Sequence, residues 1–207
     1  MAASRGLDSN QVRQLLNNCD HGRMVGIGHA WCIMKGRDYA GVPRDKTPDS
    51  AIVWDDGYGL NSITTQMADL IANLMSHLAT TGGTPTVGGI WTVAPYVGLC
   101  TVTPTVASTL GSITEASGNG YNRYQPTWAY VAGPPAGYNN TASPAVFTAS
   151  GGNLGGGALT SLIVTPASSG TGSAPNTYLM AFMALNGGNQ TVANGNTLNV
   201  TYSWTVT

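Results

Sequence analysis

The chain has 207 residues, 42% of them hydrophobic, with 28 glycines and only 9 acidic and 8 basic side chains, for a formal net charge of −1. That balance offers no electrostatic footprint for nucleic acid or an anionic membrane, and the apolar content is too high for a disordered chain. Beyond Asp69 the only charged residues are Glu115 and Arg123.

A soluble domain ordinarily gives roughly a quarter of its residues formal charge. Here the C-terminal half carries Thr, Ser, Asn, Gln and Gly instead, and so few titratable groups argue against an enzyme and for a structural part. No apolar run reaches the roughly 20 residues of a membrane span, and Arg5 has no apolar stretch behind it to form a signal peptide. Synthesis in a reducing cytoplasm is expected. Cys19, Cys32 and Cys100 then read as reduced, buried thiols.

In chain order, residues 8–19 read as a short helix, capped by Asp8 or Ser9, with Val12, Leu15, Leu16 and Cys19 on one face. Prolines 43 and 48 and several glycines break the pattern over 20–59, which predicts an irregular arm with one or two short strands. Residues 61–80 carry the clearest helical period: Asn61 or Ser62 caps, and Ile63, Met67, Leu70, Ile71, Leu74 and Leu78 fall on one apolar face that needs a partner surface. That face is the expected assembly surface of a homo-oligomer, taken as a homotrimer.

From residue 90 the signal changes to short strands, at 91–93, 96–102, 121–130, 145–149, 158–164, 178–185, 191–192 and 198–206. The last alternates cleanly, Leu198, Val200, Tyr202, Trp204 and Val206 against Asn199, Thr201, Ser203 and Thr205. Glycine-rich turns separate these runs. The expected fold is mainly β: an antiparallel β-sandwich, jelly-roll or Ig-like, over 86–207, preceded by a smaller helical and irregular region over 1–85 used for attachment and assembly.

Few constellations carry chemistry. Cys19, His21, His29 and Cys32 have no zinc-site spacing, and Asp45, Asp49, Asp55 and Asp56 lack the register of a calcium loop. No nucleophile elbow or phosphate-binding loop is present, so no catalytic residue, cofactor or metal is expected. The strongest local pattern is Glu115-Ala116-Ser117-Gly118-Asn119-Gly120-Tyr121-Asn122-Arg123, which sets the two charges on either side of a glycine-rich turn. A fold-back there would join carboxylate to guanidinium and fix both the loop and the register of the strand after it.

The segment Tyr96-Val97-Gly98-Leu99-Cys100-Thr101, followed by Glu115-x-Ser117-Gly118-x-Gly120-Tyr121-x-Arg123, resembles a family of tailed-phage virion proteins often labelled tail fibre proteins. Ala145 to Ala149, Leu179 to Leu185, Thr191-Val192-x-x-Gly195-x-Thr197 and Leu198-x-Val200 resemble that family's later strands in the same order, so the likeness covers about 90–207. It implies a non-enzymatic protein on the virion surface. As a decoration, cement or short head-fibre protein its partners would be copies of itself and other virion proteins, the major capsid protein first. The alternative is a tail-fibre adhesin that binds host surface glycans through loop aromatics such as Tyr121, Tyr124, Trp128, Tyr130 and Tyr138.

Overall fold

The computed structural model describes residues 24–64, 94–131, 136–170 and 178–206. The expected helix at 8–19, the helix-face residues Met67, Leu70, Ile71, Leu74 and Leu78, the short strand at 91–93, and Cys19 and His21 lie outside these residues. Within them the chain forms nine strands: β1 Met24–Ile33, β2 Ile52–Ile63, β3 Tyr96–Cys100, β4 Ala129–Val131, β5 Ala136–Asn139, β6 Ala145–Thr148, β7 Ser161–Thr165, β8 Ala181–Ala184 and β9 Thr197–Val206. All nine pair antiparallel.

The strands make two antiparallel sheets joined by one long strand. The path runs β3-β7-β8-β2-β1-β9-β5-β4, and β6 also pairs with β9. β2 belongs to both sheets. Ile52 through Asn61 pair with β1, and then Ser62 and Ile63 pair with Phe182 and Ala181 of β8. Facing side chains from both sheets form the main core, with Ala30, Cys32, Leu198 and Val200 on one side and Val97, Leu99, Leu162, Val164 and Met183 on the other. A smaller cluster of Cys100, Leu110, Ile163, Ala167, Leu179 and Phe182 lies on the far side of the second sheet.

Two expectations about the N-terminal stretch are corrected here. The one or two short strands expected within the irregular arm are present but long, as β1 and β2 at the middle of the sheet path with only 34–51 between them free of strands, so strands from both sides of the expected 85/86 boundary share one hydrogen-bonded sheet. The full length of β1 is not marked in the sequence, because the strand alternates large with small rather than apolar with polar. Ile27, His29, Trp31 and Ile33 point to one side, and Gly26, Gly28, Ala30 and Cys32 to the other. Likewise, Asn61, Ser62 and Ile63 end β2 instead of opening a helix, so Ile63 is not on an assembly helix face. A cap is a local preference of about 1 kcal/mol, which pairing with an existing sheet overrides.

The downstream strands fall near their expected places, with 121–130 shortened to β4 and 191–192 left as loop. β5 is an addition. The alternation of β9 holds for Leu198, Val200 and Tyr202, which enter the core, yet Asn199 and Thr201 are buried as well. The cause is a strap, residues 34–51, laid over the outer face of β1 and β9. The Gly41 N–H donates to Asn199 Oδ1 at 3.0 Å, Asn199 Nδ2 donates to the Tyr39 carbonyl at 3.0 Å, and the Lys35 N–H donates to Asn196 Oδ1 at 2.8 Å. Trp31, Ile33 and Thr47 are buried on this side.

The second edge of β9 is shared by β6 at Thr197 to Val200 and by β5 at Ser203 to Val206. Buried Asn140 fills the gap between them. Its side-chain amide donates to the Val200 carbonyl at 3.1 Å and its Oδ1 accepts from the Tyr202 N–H at 2.5 Å, so an amide side chain takes the place of a strand backbone.

Candidate functional site

Residues 115–124 run along the outer edge of β3 and close it. Cys100 bridges Glu115 at one end and Val97 bridges Tyr124 at the other. Between these points the chain leaves the edge, and a side chain completes the ladder: the Ala116 N–H donates to the Leu99 carbonyl at 2.9 Å, while the Leu99 N–H donates to the Tyr121 hydroxyl at 3.0 Å. Gly98 makes this possible, since a Cβ there would meet the Tyr121 oxygen at 2.9 Å.

The excursion is a tight turn. Gly118 (φ 78°), Asn119 (φ 52°) and Gly120 (φ 87°) are all left-handed. At Gly120 a side chain is excluded twice, by its φ and by the Thr148 carbonyl against which a Cβ would press. The turn docks onto the neighbouring loop: Asn119 Nδ2 donates to the Asn153 carbonyl at 2.8 Å, the Ser150 N–H donates to the Asn119 carbonyl at 3.0 Å, and the Ser117 N–H reaches the Gly155 carbonyl at 3.4 Å.

Glu115 and Arg123 meet across the base of this turn as a fork. Arg123 Nε donates to Glu115 Oε1 at 2.7 Å and Nη2 donates to Oε2 at 2.5 Å. The Tyr121 hydroxyl donates to the same Oε1 at 2.5 Å. Arg123 also donates to the Ala167 and Gly170 carbonyls, each at 3.0 Å, and so pins the segment after β7. The Arg123 side chain is 2% exposed and that of Glu115 18%. Burial works against the Arg123 charge, but the Glu115 hydrogen bonds and carboxylate outweigh it and hold the guanidinium above its ordinary pKa. Burial and then the Glu115 charge drive the Tyr121 phenol well upward, so it stays a donor. Glu115, Ser117, Gly118, Gly120, Tyr121 and Arg123 thus share one site. Its chemistry is to hold backbone in place: Arg123 donates to the carboxylate and to two carbonyls, Tyr121 donates to the same carboxylate, and the two charges cancel.

A second polar centre ties the strap to β2. Asp55 Oδ1 takes the His29 Nε2 hydrogen bond at 2.6 Å and the Gly57 N–H at 2.8 Å, and Asp55 Oδ2 accepts from Arg44 Nε. Arg44 continues to Asp49 Oδ1 at 2.7 Å and to the Thr47 carbonyl at 3.0 Å. Burial raises the Asp55 pKa, but His29, Arg44 and the Gly57 N–H more than reverse this and hold it below the ordinary carboxylate range. The His29 ring packs against Trp31 and Tyr58, with centroids 5.0 and 4.5 Å apart.

Next to Asp55, Asp56 is buried and points the other way. Its carboxylate accepts from the Asn186 N–H at 2.6 Å and from the Gly187 N–H. Burial is the larger influence and raises its pKa against those hydrogen bonds. Neither role was readable from the spacing of the acidic residues; the sole signal was the Asp-Gly step at 56–57, which marks the bulge where adjacent side chains diverge.

Cys32 and His29 sit on opposite faces of β1, as an odd spacing on a strand requires. Among the described residues no three His, Cys, Asp or Glu side chains converge as metal ligands. Cys32 and Cys100 are free, buried thiols, each pushed up to about 12 by burial. Of the loop aromatics, Tyr121 stacks on Phe147 at 6.0 Å and Trp128 donates to the Pro95 carbonyl at 2.8 Å. Tyr124 (37% exposed) and Tyr138 (41% exposed) reach the surface, and Tyr138 stacks on Trp204 at 5.4 Å. Comparison with protein-family models, with curated proteins and with solved structures finds no match to this chain.

Proposed function

We propose that this chain is a non-enzymatic structural protein of a tailed-bacteriophage particle, an accessory surface protein that decorates or stabilises the capsid as a cement or short head-fibre component. In this reading the two sheets form a β-sandwich of jelly-roll or Ig-like type, and copies associate as a homotrimer on the major capsid protein. The observation that carries it is the disposition of charge. The strap holds exposed Lys35, Arg37, Asp38, Asp45, Lys46 and Asp49, whereas beyond Asp56 the described residues hold only Glu115 and Arg123, neutralised against each other beneath the surface. A surface of Thr, Ser, Asn and Gly with no long-range field and a pinned glycine loop suits a passive, closely packed outer part. The resemblance of residues 96–101 and 115–123 points the same way.

The test is an image of particles carrying a label on the C-terminus, with sedimentation of the released protein. Label on the head and a trimer are the expected results. Label on the tail, together with binding of the full chain to host surface glycans, would support the adhesin reading, which the exposed rings of Tyr124 and Tyr138 favour. Absence of label from particles would overturn both.

A further inference from the structure

We propose that Asp56 is the chemical guard of the Asn186–Gly187 bond, keeping that exposed turn from spontaneous deamidation. The sequence contains three Asn-Gly steps, Asn119-Gly120, Asn186-Gly187 and Asn194-Gly195. Asn-Gly is the most labile pairing of this kind, because glycine leaves its nitrogen unhindered. In the reaction the glycine nitrogen loses its proton and attacks the asparagine Cγ. The bond from Cγ to the side-chain nitrogen breaks and ammonia leaves. Water then opens the succinimide to aspartate or isoaspartate, so no oxidant, metal or cofactor takes part.

Asn186 and Gly187 are both exposed, in the turn after β8, so water has free access to them. What restrains them is Asp56, from the bulge of β2, 130 positions away in the chain. The Gly187 N–H donates to Asp56 Oδ1, the Asn186 N–H donates to Oδ2 at 2.6 Å, and Asn186 Nδ2 donates to the Asp56 carbonyl at 3.2 Å.

Each contact opposes one requirement of the reaction. The attacking nitrogen must become anionic, but its proton points at a buried carboxylate, and negative charge forming there would face negative charge out of water. The Cγ must also swing onto the Gly187 nitrogen, whereas the side-chain amide is drawn across to β2. The Asn194 step has a different guard: the Gly195 N–H donates to the neutral Ala149 carbonyl at 2.8 Å, and Asn194 Oδ1 accepts from the Gly151 N–H at 3.0 Å. Asn194 is therefore an internal control that does not involve Asp56. A protein that must persist outside the cell without turnover benefits from such a guard, but the guard itself does not depend on where the protein is displayed.

The experiment incubates the full chain, native and urea-unfolded, at mildly alkaline pH, with peptide mapping by mass spectrometry to read deamidation at residues 119, 186 and 194. The expected result is that Asn186 reacts more than about tenfold slower in the native protein than in the unfolded chain, the ratio reporting how seldom the turn opens. Asp56→Ala should raise the rate at Asn186 several-fold and leave Asn194 unchanged. Equal native and unfolded rates at Asn186, or an Asp56→Ala protein in which Asn186 stays as slow as before, overturn the proposal. Should Asp56→Ala unfold, all three sites will accelerate together, and hydrogen exchange of the wild-type Gly187 amide decides instead. Strong protection supports the guard, and exchange at the rate of an open loop refutes it.

Discussion

Arg123 gathers one carboxylate and two backbone carbonyls, Arg44 two carboxylates and one carbonyl, and the contrast between them shows how burial sets the worth of an ion pair. Arg123 offers two nitrogens to both oxygens of one carboxylate, and its side chain is 2% exposed. Arg44 divides itself between Asp55 and Asp49, with its own side chain 25% exposed and that of Asp49 90%. Water can readily replace Asp49 as a partner of Arg44, whereas the partners of Arg123 offer it little access. The first centre therefore determines whether the edge of β3 is closed, whereas the second determines how firmly a strap lies on a sheet that is already complete.

Five measurements test that contrast. The largest expected effect is for Arg123→Ala, which strands a part-buried Glu115 and two carbonyls; breaking such a pair costs about 3 kcal/mol. In urea unfolding the midpoint should fall at unchanged m-value, and the Glu115→Ala/Arg123→Ala double variant should lose less than the sum of the singles. Additive losses under about half a kcal/mol would mean that the fork behaves as surface charge.

Gly120→Ala comes next, at about 2 kcal/mol, because φ 87° and the Thr148 carbonyl oppose a side chain together. A neutral result would show that the turn can relax away from its neighbour. Tyr121→Phe should rank third at about 1–2 kcal/mol, since it leaves the Leu99 N–H without its acceptor. Hydrogen exchange at Leu99 should accelerate in this variant, and an unchanged amide would refute the assignment of the hydroxyl to the ladder.

Arg44→Ala should cost less than about 1 kcal/mol globally while making 34–51 more susceptible to protease. A global loss as large as that of Arg123→Ala would erase the distinction between the two centres. The same region has an acid signature. Asp55 is held below its ordinary pKa, so its contribution is complete above the ordinary carboxylate range and is lost as pH falls through the depressed value. Asp56 is raised and acts oppositely: its contribution is complete below the ordinary range and declines as pH rises through the elevated value. Asp55→Asn should therefore flatten the loss of stability toward acid pH and Asp56→Asn should not; identical acid titrations for the two variants would contradict these signs.

The turn with its two flanking charges was legible in the sequence because it is local. Arg123 follows Glu115 by eight positions, glycines 118 and 120 announce positive φ, and charge is rare enough nearby that each partner had few other choices. β9 was legible for a similar reason, since strict alternation of Leu198, Val200 and Tyr202 needs no partner to be recognised. Tertiary structure alone decided the rest. β1 is covered on both faces, by the core and by the strap, so no polar side marked it as a strand; β2 became the link between sheets because Ser62 and Ile63 found β8, against a helical period in their own neighbourhood. Asp56 reaching Asn186, Asn140 completing β9 and Tyr121 completing β3 share one cause. A buried backbone group must find a partner wherever the fold brings one, and nothing in the local sequence states which side chain that will be.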